Sequence, residues 1–530
     1  MHATAPFSIP AIRSFVPEKV KPWIIICFVA IFQLSGGVYL AAISQMVGST
    51  TLMQEDIMMA GYASMVGMAL TFTVMFRLKF RFPSKVAFTV CSVMIIACNL
   101  ACMNTGSLPV LFAACFVAGV FRMWGTFECM STIQLWLTPV RDMSVFFCCI
   151  QLMVHGSIQL TGITTTYVAF LAEWRYMHWL VIGLQLLLLL ATTLLFRTFR
   201  AMRKLPLYGI DWLGGVLWGI TVLSALFVCN YGDYYDWFES VYIRMATVLA
   251  VVCLPLNLWR ASFIRHPYIT IDTICYPVVW KTLLLYLVFD LLLAPSHMIE
   301  NLYAGAVLGY DSLNMAFLNW AVLAGVVLGV LFTWRTFAVR KWPYKTTAAI
   351  AFGAATLYCI SFYFTIDYNL PKGALILPLF LRGSACVILG ACFLTALTRI
   401  PVFPHFAQSL SMQAFVSASL GGAIGGAAID HIFKVFTKQN ALVLGSTLDN
   451  VNPEASHMPF GELVGALQQQ AMMVSMKEIF GWLSLLGILC LLLFFIHESD
   501  LIRPYKAIHP TFKSIRNMIK REYIDNTANN

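Results

Sequence analysis

The sequence predicts an all-α membrane protein with fourteen transmembrane helices. Of its 530 residues, 60% are hydrophobic and 11% are charged, whereas an ordinary soluble domain carries about 25% charged residues. Apolar windows recur along the chain at about 20 residues each, the length that a helix needs to cross the hydrocarbon layer. Basic and acidic residues also alternate between successive loops. A chain with so few charges cannot cover a water-facing surface.

The apolar windows follow one another in a regular series. A polar stretch with Arg13, Lys19 and Lys21 precedes the first window. We find no small-residue cleavage site after that window and interpret it as a retained helix rather than a signal peptide. The windows begin near Pro22, Ile57, Val86, Leu108, Met143, Met177, Asp211, Ser240, Val278, Asn314, Thr346, Gly373, Ala407 and Glu478.

The loop charges predict the orientation of these helices. Bases cluster in the loops after the second, sixth, eighth and tenth windows and in the C-terminal tail, whereas the other loops carry mainly acids, such as Glu55, Asp233 and Glu300. Under the positive-inside rule, both termini then face the cytoplasm. The net charge of +10 is therefore a topology signal, and we do not expect binding to nucleic acid.

An internal repeat indicates the domain organisation. The loops FRLKFRFPSK (76–85) and WRTFAVRKWPYK (334–345) both end in Pro-x-Lys, and VAGVF around Gly119 corresponds to LRGSA around Gly383. Paired halves are common in secondary transporters. We expect an N-terminal six-helix bundle at 1–205, two inserted linker helices at 206–270, and a C-terminal six-helix bundle at 271–530 with an external loop at about 431–475 and a basic cytoplasmic tail.

Four stretches carry a family resemblance: EWRYMHWLVIGLQ, GIDWLGG, AQSLSMQAFVSASLGGAIGG and ALQQQAMMVSMKEIFGW. With them the chain resembles the fourteen-helix drug/proton antiporter branch of the major facilitator superfamily, the EmrB/QacA-like branch, over nearly its whole length. The resemblance implies the major facilitator fold and alternating access, with the first, fourth, ninth and twelfth helices lining a central cavity.

The resemblance also implies the cellular context. It implies a multi-pass protein of the cell (inner) membrane that uses the proton as coupling ion and needs no cofactor. In bacteria with two membranes, it further implies a periplasmic adaptor and an outer-membrane duct as partners. The 15 cysteines show no zinc spacing, and we interpret them as small apolar side chains rather than metal ligands.

The chain departs from the family pattern at three places. The loop after the second helix lacks the usual Asp but keeps Arg77, Arg81 and Lys85, which we expect to form a cytoplasmic gate. The first helix has Gly36 where the family has an Asp, and the fourth has Cys115 where the family has an Arg. Other charged residues within the predicted membrane helices are therefore the candidates for proton coupling.

The fourth window contains two such charges. A central Arg in a membrane helix costs about 2.5–3.5 kcal/mol, and Arg122 lies two helical turns from Cys115 on the same face. We expect Arg122 to line the cavity in place of the family's Arg. The alternative is a structural Arg bonded to backbone carbonyls. Glu128 is a candidate for proton coupling, with a solvated carboxylate at the headgroup level as the alternative.

Asp290, midway along the ninth window, is the main candidate for proton coupling. Tyr286 and His297 fall on the same stripe of that helix, and we expect Tyr286 to line the substrate cavity and His297 to take part in proton coupling. Burial of a carboxylate without a cation favours its protonated form, as a proton carrier requires. The alternative is an Asp that a neighbouring Arg holds charged. Arg382 in the twelfth window either lines the cavity or forms a structural pair with Asp290.

The fifth window carries a polar stripe. Gln151, His155 and Gln159 recur every four residues and therefore share one face of an otherwise apolar helix. We expect them to line the substrate cavity, and the alternative is hydrogen bonding between packed helices.

The sequence favours a secondary active transporter that couples proton movement to the export of small amphipathic molecules or drugs. An uptake permease of the same fold is the alternative. A membrane-embedded transferase is a remote alternative that depends on Asp430 and His431 alone, and no GxxxxGK motif indicates ATP as the energy source. Because Arg122 and Arg382 oppose only Asp290, we expect anionic or zwitterionic substrates.

Overall fold

A computed structural model of the protein describes residues 11–138, 142–198, 206–296, 298–447 and 459–496. The regular secondary structure in these ranges is helical. Twelve of the described helices are long and apolar enough to cross a membrane, so the chain is a multi-pass membrane protein. The windows predicted first and thirteenth are also helical, but each is interrupted near its middle. The count of fourteen spans and the orientation of the termini stay predictions.

The N-terminal half begins with an interrupted helix. Its helices are α1 (Lys21–Leu34), α2 (Ile43–Ser49), α3 (Gln54–Arg81), α4 (Ser84–Asn104), α5 (Leu108–Leu137), α6 (Met143–Leu171) and α7 (Arg175–Leu195). Between α1 and α2, Gly37 has φ +83°, a left-handed conformation that residues with a Cβ rarely adopt. A Cβ at this position would also lie 3.2 Å from the Cys115 sulfur. The two glycines of the Ser-Gly-Gly sequence thus allow the break.

Two linker helices follow, α8 (Trp212–Tyr231) and α9 (Val241–Phe263), with a short α10 (Ile271–Cys275) after them. Asp211 caps α8 by accepting a hydrogen bond from the Gly214 N–H at 3.0 Å, and the Arg260 guanidinium donates two hydrogen bonds to the same carboxylate at 2.8 and 2.6 Å. Tyr231 at the far end of α8 donates a 2.5 Å hydrogen bond to Asp56 of α3. The linker helices therefore lie against the N-terminal half.

The C-terminal half repeats the broken first span. Its helices are α11 (Pro277–Leu293), α12 (Ile299–Leu302), α13 (Ser312–Thr333), α14 (Tyr344–Thr365), α15 (Ile376–Leu397), α16 (Phe403–Phe415), α17 (Gly421–Ser446) and α18 (Phe460–Ile496). The ninth predicted window is α11, α12 and a π-helical turn at Tyr303–Val307. A second π-helical turn at Val416–Leu420 interrupts the thirteenth window between α16 and α17.

Glycine contacts pack corresponding helices in the two halves. A Cβ added to Gly67 of α3 or Gly119 of α5 would clash with a backbone carbonyl oxygen of the other helix. Gly325 of α13 and Gly383 of α15 make the same kind of backbone contact with each other's helices. Small residues allow such close approach of membrane helices. The helix packing therefore supports the internal repeat that the loop motifs predict.

Much of the long external loop predicted at about 431–475 is helical in the described residues, because α17 continues to Ser446 and α18 begins at Phe460. The polar residues after Asp430 interrupt the apolar run without interrupting the helix. The external position of this segment stays a prediction. At 37 residues, α18 is about 55 Å long, nearly twice the hydrocarbon thickness of about 30 Å. The basic C-terminal tail lies outside the described residues.

The two halves contact each other at one end of the bundle. We call it the basic end, because it carries the basic loops that follow α3 and α13, and we call the opposite end the acidic end. At the basic end the hydroxyl oxygens of Thr73 and Ser411 lie 2.6 Å apart. The Phe76 and Phe403 rings are in edge-to-face contact at 4.7 Å. These contacts join α3 of the first half to α16 of the second half.

Candidate functional site

Arg122 is attached to the broken first helix. Its guanidinium donates a 2.9 Å hydrogen bond to the side-chain oxygen of Gln33. The side-chain nitrogen of Gln33 in turn donates a 3.1 Å hydrogen bond to the Thr126 hydroxyl. A Cβ at Gly36 would lie 3.8 Å from the guanidinium, so the Arg lies beside the position where the family carries an Asp. In the described part of the chain Arg122 has no carboxylate partner and its Nε no hydrogen-bond partner. It is thus available to an anionic group.

Arg382 is already neutralised by a glutamate. It forms an ion pair with Glu300 of α12, and Tyr358 donates a 2.6 Å hydrogen bond to the same carboxylate. The side chains of Arg382 and Glu300 are 15% and 11% exposed. The alternative pairing of Arg382 with Asp290 is therefore wrong. We counted Glu300 as a loop acid, although the apolar span around it continues to Val307, and that continuation was the available signal.

Asp290 is a half-buried acid with no cationic partner among the described residues. Its Oδ2 atom is inaccessible and has no hydrogen-bond partner among the described residues, and it lies against Gly421, where a Cβ would clash with it. Tyr286, one turn earlier, packs its ring against Phe393 at 5.0 Å. His297, the third residue of the predicted stripe, lies outside the described residues.

Glu128 is part of an ion pair. Lys79, near the end of α3, lies 2.5 Å from the Glu128 carboxylate and also donates a 2.9 Å hydrogen bond to Thr132. The Glu128 side chain is fully buried and that of Lys79 is 16% exposed. The solvated carboxylate that we considered as the alternative is therefore not observed. Glu128 therefore belongs to a buried ion pair that joins α3 to α5, and its role in proton coupling stays a prediction.

The polar stripe of α6 divides between two environments. Gln151 is buried and touches Gly390 of α15, where an added Cβ would clash with its side chain. It therefore lies at a contact between the two halves. His155 and Gln159 are half-buried and form no hydrogen bond with the part of the chain that the structure describes. Their place in the substrate cavity stays a prediction.

The predicted gate residues contact their own half and the linker. Lys85 donates a 3.3 Å hydrogen bond to the Thr193 carbonyl of α7. A Cβ at Gly209, just before α8, would lie 2.7 Å from the Arg77 guanidinium. Arg81 is the last residue of α3. Their role as a gate stays a prediction.

The equivalent loop of the second half does cross between the halves. Lys341 forms an ion pair with Asp142 and donates a 3.2 Å hydrogen bond to Ser144 at the start of α6. Partial burial opposes ionisation of Asp142, but hydrogen bonds from Lys341 and Ser144 outweigh it and hold the pKa of the carboxyl below its usual value. The sequence did not predict this contact, because Lys341 was interpreted only as one of the basic loop residues that orient the helices in the membrane.

Asp430 and His431 do not form an isolated acid–base pair. Lys434 donates hydrogen bonds to Asp430 at 2.9 Å and to Asp233 of the α8–α9 loop at 2.8 Å. Asp233 also contacts His431 at 3.2 Å and accepts a 2.6 Å hydrogen bond from Trp237. Burial would raise the pKa of Asp233, but its hydrogen bonds with Lys434, Trp237 and His431 lower it to about 2. This arrangement joins the linker loop to α17 and offers no enclosed reaction site.

Comparison with known proteins adds sequence relatives. No protein-family model matches the chain. The chain is similar to the multidrug export protein EmrB of Escherichia coli (strain K12), with 25% identity over 342 residues that cover 59% of this chain and 62% of EmrB. EmrB of Escherichia coli O157:H7 gives the same match. The chain thus matches less than two thirds of the length of these curated relatives.

Comparison with solved structures identifies the fold. The peptide transporter POT in complex with sulfate matches with a TM-score of 0.57 and 15% identity, covering 92% of this chain and 96% of that chain. A mutant of the nucleoside transporter NupG matches with a TM-score of 0.51 and 12% identity, covering 91% and 100%. The chain therefore shares the fold of these solved transporters.

Proposed function

We propose that the protein is a secondary active transporter that exports small amphipathic molecules or drugs in exchange for protons. Asp290 carries this proposal, because its Oδ2 atom is inaccessible and unbonded and the acid has no cationic partner among the described residues. It lies between α11 and the glycine-rich start of α17, two elements interrupted within their membrane spans. Because Asp290 has no cationic partner among the described residues, it can take up a proton without the breaking of an ion pair. A change in its charge can then favour a different packing of α11 on α17.

Arg122 is the proposed contact for the substrate head group. Its bidentate donors suit a carboxylate, phosphate or sulfonate, and its only described hydrogen-bond acceptor is the neutral amide of Gln33. The expectation that both Arg122 and Arg382 lack a carboxylate is corrected, because Glu300 pairs with Arg382. We therefore assign the preference for anionic or zwitterionic amphipaths to Arg122 alone.

The likeness to EmrB, a multidrug export protein, supports the direction of export in this proposal. By the same reasoning the protein would lie in the cell (inner) membrane, use no cofactor and work with a periplasmic adaptor and an outer-membrane duct. The basic end would face the cytoplasm under the positive-inside rule. The contacts at the basic end then correspond to a cavity closed toward the cytoplasm.

Reconstituted protein tests the coupling. Purified chain is placed in vesicles that contain a pH-sensitive dye, and an anionic amphipath is added on one side under an imposed pH gradient. Wild type should move protons when substrate is added, and Asp290→Asn should abolish this flux because the carboxylate no longer titrates. Asp236→Asn, in the exposed α8–α9 loop, is the matched control and should transport like wild type.

The outcomes separate the alternatives. Substrate-driven proton flux that persists in Asp290→Asn would refute Asp290 as the coupling residue. Substrate and proton moving in the same direction would replace export by the uptake permease. Substrate movement without any proton flux in wild type would remove proton coupling from the proposal.

A further inference from the structure

A large polar cavity lies at the acidic end of the first half. It has a volume of about 730 Å³ and is bounded by the end of α2, the end of α4 and the start of α7. Its lining combines hydroxyl, amide, charged and aromatic side chains: Ser49, Thr50, Thr51, Asn104, Thr105, Glu173, Trp174, Arg175, Tyr176 and Trp179. Cavities of this size hold small-molecule groups. Neither Asp290 nor Arg122 contributes to this lining, so the cavity is separate from the candidate transport site.

Opposite charges lie side by side in the cavity wall. The Arg175 guanidinium lies 3.5 Å from the Glu173 carboxylate, and each side chain is 47% exposed. Ion pairs with this much solvent contact are weak, so a ligand can separate the two partners easily. A ligand with an anion and a cation a few bonds apart satisfies both residues at once.

A buried aromatic side chain forms part of the cavity wall. Trp174 is 4% exposed, and its indole N–H donates a 2.7 Å hydrogen bond to Ser49 of α2. The Arg175 guanidinium lies 5.5 Å from the centre of the Trp174 ring, a favourable cation–π distance. The aromatic face beside the cavity is thus occupied by this chain's own cation, so it cannot also hold a quaternary ammonium.

Exposed aromatic side chains border the cavity. Tyr176 and Trp179 line it and are 55% and 52% exposed, and Trp and Tyr concentrate where a membrane meets water. Further along α7, Leu186 and Leu187 are 52% and 58% exposed and continue the apolar surface into the hydrocarbon. A molecule with its polar group in the cavity can therefore lay its acyl chains along α7.

We infer that this cavity binds the headgroup of a zwitterionic phospholipid with a primary ammonium, phosphatidylethanolamine. Arg175 holds the phosphate through charge-assisted hydrogen bonds. Glu173 accepts hydrogen bonds from the ammonium, which a choline headgroup cannot donate. The hydroxyl groups of Ser49, Thr50 and Thr105 provide further hydrogen bonds for the phosphate oxygens. This site depends on the first half alone and not on the proposed transport reaction.

Lipid retention by the whole purified protein tests the inference. Delipidated chain is mixed with phosphatidylethanolamine, phosphatidylcholine or phosphatidylglycerol of the same acyl chains, and bound lipid is counted by native mass spectrometry. Wild type should prefer phosphatidylethanolamine by about tenfold, as one charge-assisted hydrogen bond predicts. Glu173→Gln should lose this preference while still binding phosphatidylcholine, whereas Arg175→Gln should weaken both. Glu462→Gln, an exposed acid at the start of α18, should bind like wild type.

Several results would overturn the inference. Equal retention of the three lipids by wild type, or an unchanged preference in Glu173→Gln, would exclude recognition of the headgroup. Free glycerophosphoethanolamine that displaces the lipid at equal concentration would show that a soluble ligand, not the membrane, supplies the group. Variants that lose the preference but unfold at the same temperature as wild type would show that loss of binding is not loss of fold.

Discussion

At the scale of single residues, the partner of each buried charge decides what that charge can do. Glu128 and Asp290 both lie in apolar surroundings, but Lys79 contacts Glu128, whereas Asp290 has no described cation. The sequence predicts that both lie within membrane helices. It could not predict their partners, because Lys79 and Glu128 are 49 residues apart and meet only when α3 packs on α5. The pairing of Arg382 with Glu300 could not be predicted for the same reason, because these residues are 82 positions apart in the sequence.

Removal of one partner from the Lys79–Glu128 pair tests its structural role. Glu128→Gln should destabilise the protein by about 3–5 kcal/mol, because it leaves a buried ammonium without a counter-charge. The double variant Lys79→Met/Glu128→Gln should recover most of this loss. Both changes in the free energy of unfolding can be measured on the purified protein in detergent, with the loss of its helical circular dichroism signal as the monitor of unfolding. A Glu128→Gln variant with wild-type stability but without proton flux would instead return Glu128 to the coupling site.

At the scale of elements, apolar windows locate the helices and small residues set how closely they approach. The windows predict the described helices well, because a membrane-spanning helix needs an apolar stretch as long as the hydrocarbon layer is thick. They fail at the helix ends beyond the membrane, where α17 and α18 continue through polar sequence. They also fail at the π-helical turns, because a break within an apolar run leaves hydrophobicity unchanged.

The repeated glycine contact can be tested with a single methyl group. Gly119→Ala should push α5 away from the Ser64 carbonyl of α3, at a cost of about 1–3 kcal/mol by overpacking. Gly156→Ala is the matched control, because a Cβ on this α6 glycine meets no atom within 4 Å. The unfolding temperature should fall for Gly119→Ala and remain unchanged for Gly156→Ala. Equal stability of the two would contradict close α3–α5 packing.

At the scale of the whole molecule, the described contacts place the closed side of the bundle at the basic end. Besides the contacts of Thr73 with Ser411 and of Lys341 with Asp142, an apolar cluster joins both halves there. Its buried members are Met75, Met123, Val279, Leu397, Ile400 and Leu410. Repeat motifs in the sequence predict the two halves, but they hold no information on which end is closed, because alternating access visits both arrangements.

Cross-linking measures which arrangement is populated. In Thr73→Cys/Ser411→Cys the two sulfurs can reach bonding distance, because the present hydroxyl oxygens are 2.6 Å apart. Mild oxidation should join the halves, and a protease cut in the linker should then leave one band on a non-reducing gel. Thr73→Cys alone should give two bands. Cross-linking that substrate does not change would contradict opening at the basic end during transport.

The position of the linker helices has a kinetic consequence. Their contact with the first half is buried, since Tyr231 bonds to Asp56, but the contact of Asp233 with Lys434 of the second half faces water, with the two side chains 20% and 49% exposed. The Trp218 ring of α8 also stacks on Phe415 of the second half, so the linker contacts both halves. Under the proposed alternating access, we expect the water-facing pair of Asp233 and Lys434 to separate more readily than this apolar contact. A turnover that separates the pair breaks and remakes an ion pair, which dissolved salt screens. The ionic strength of the medium at the acidic end would therefore act directly on the turnover rate.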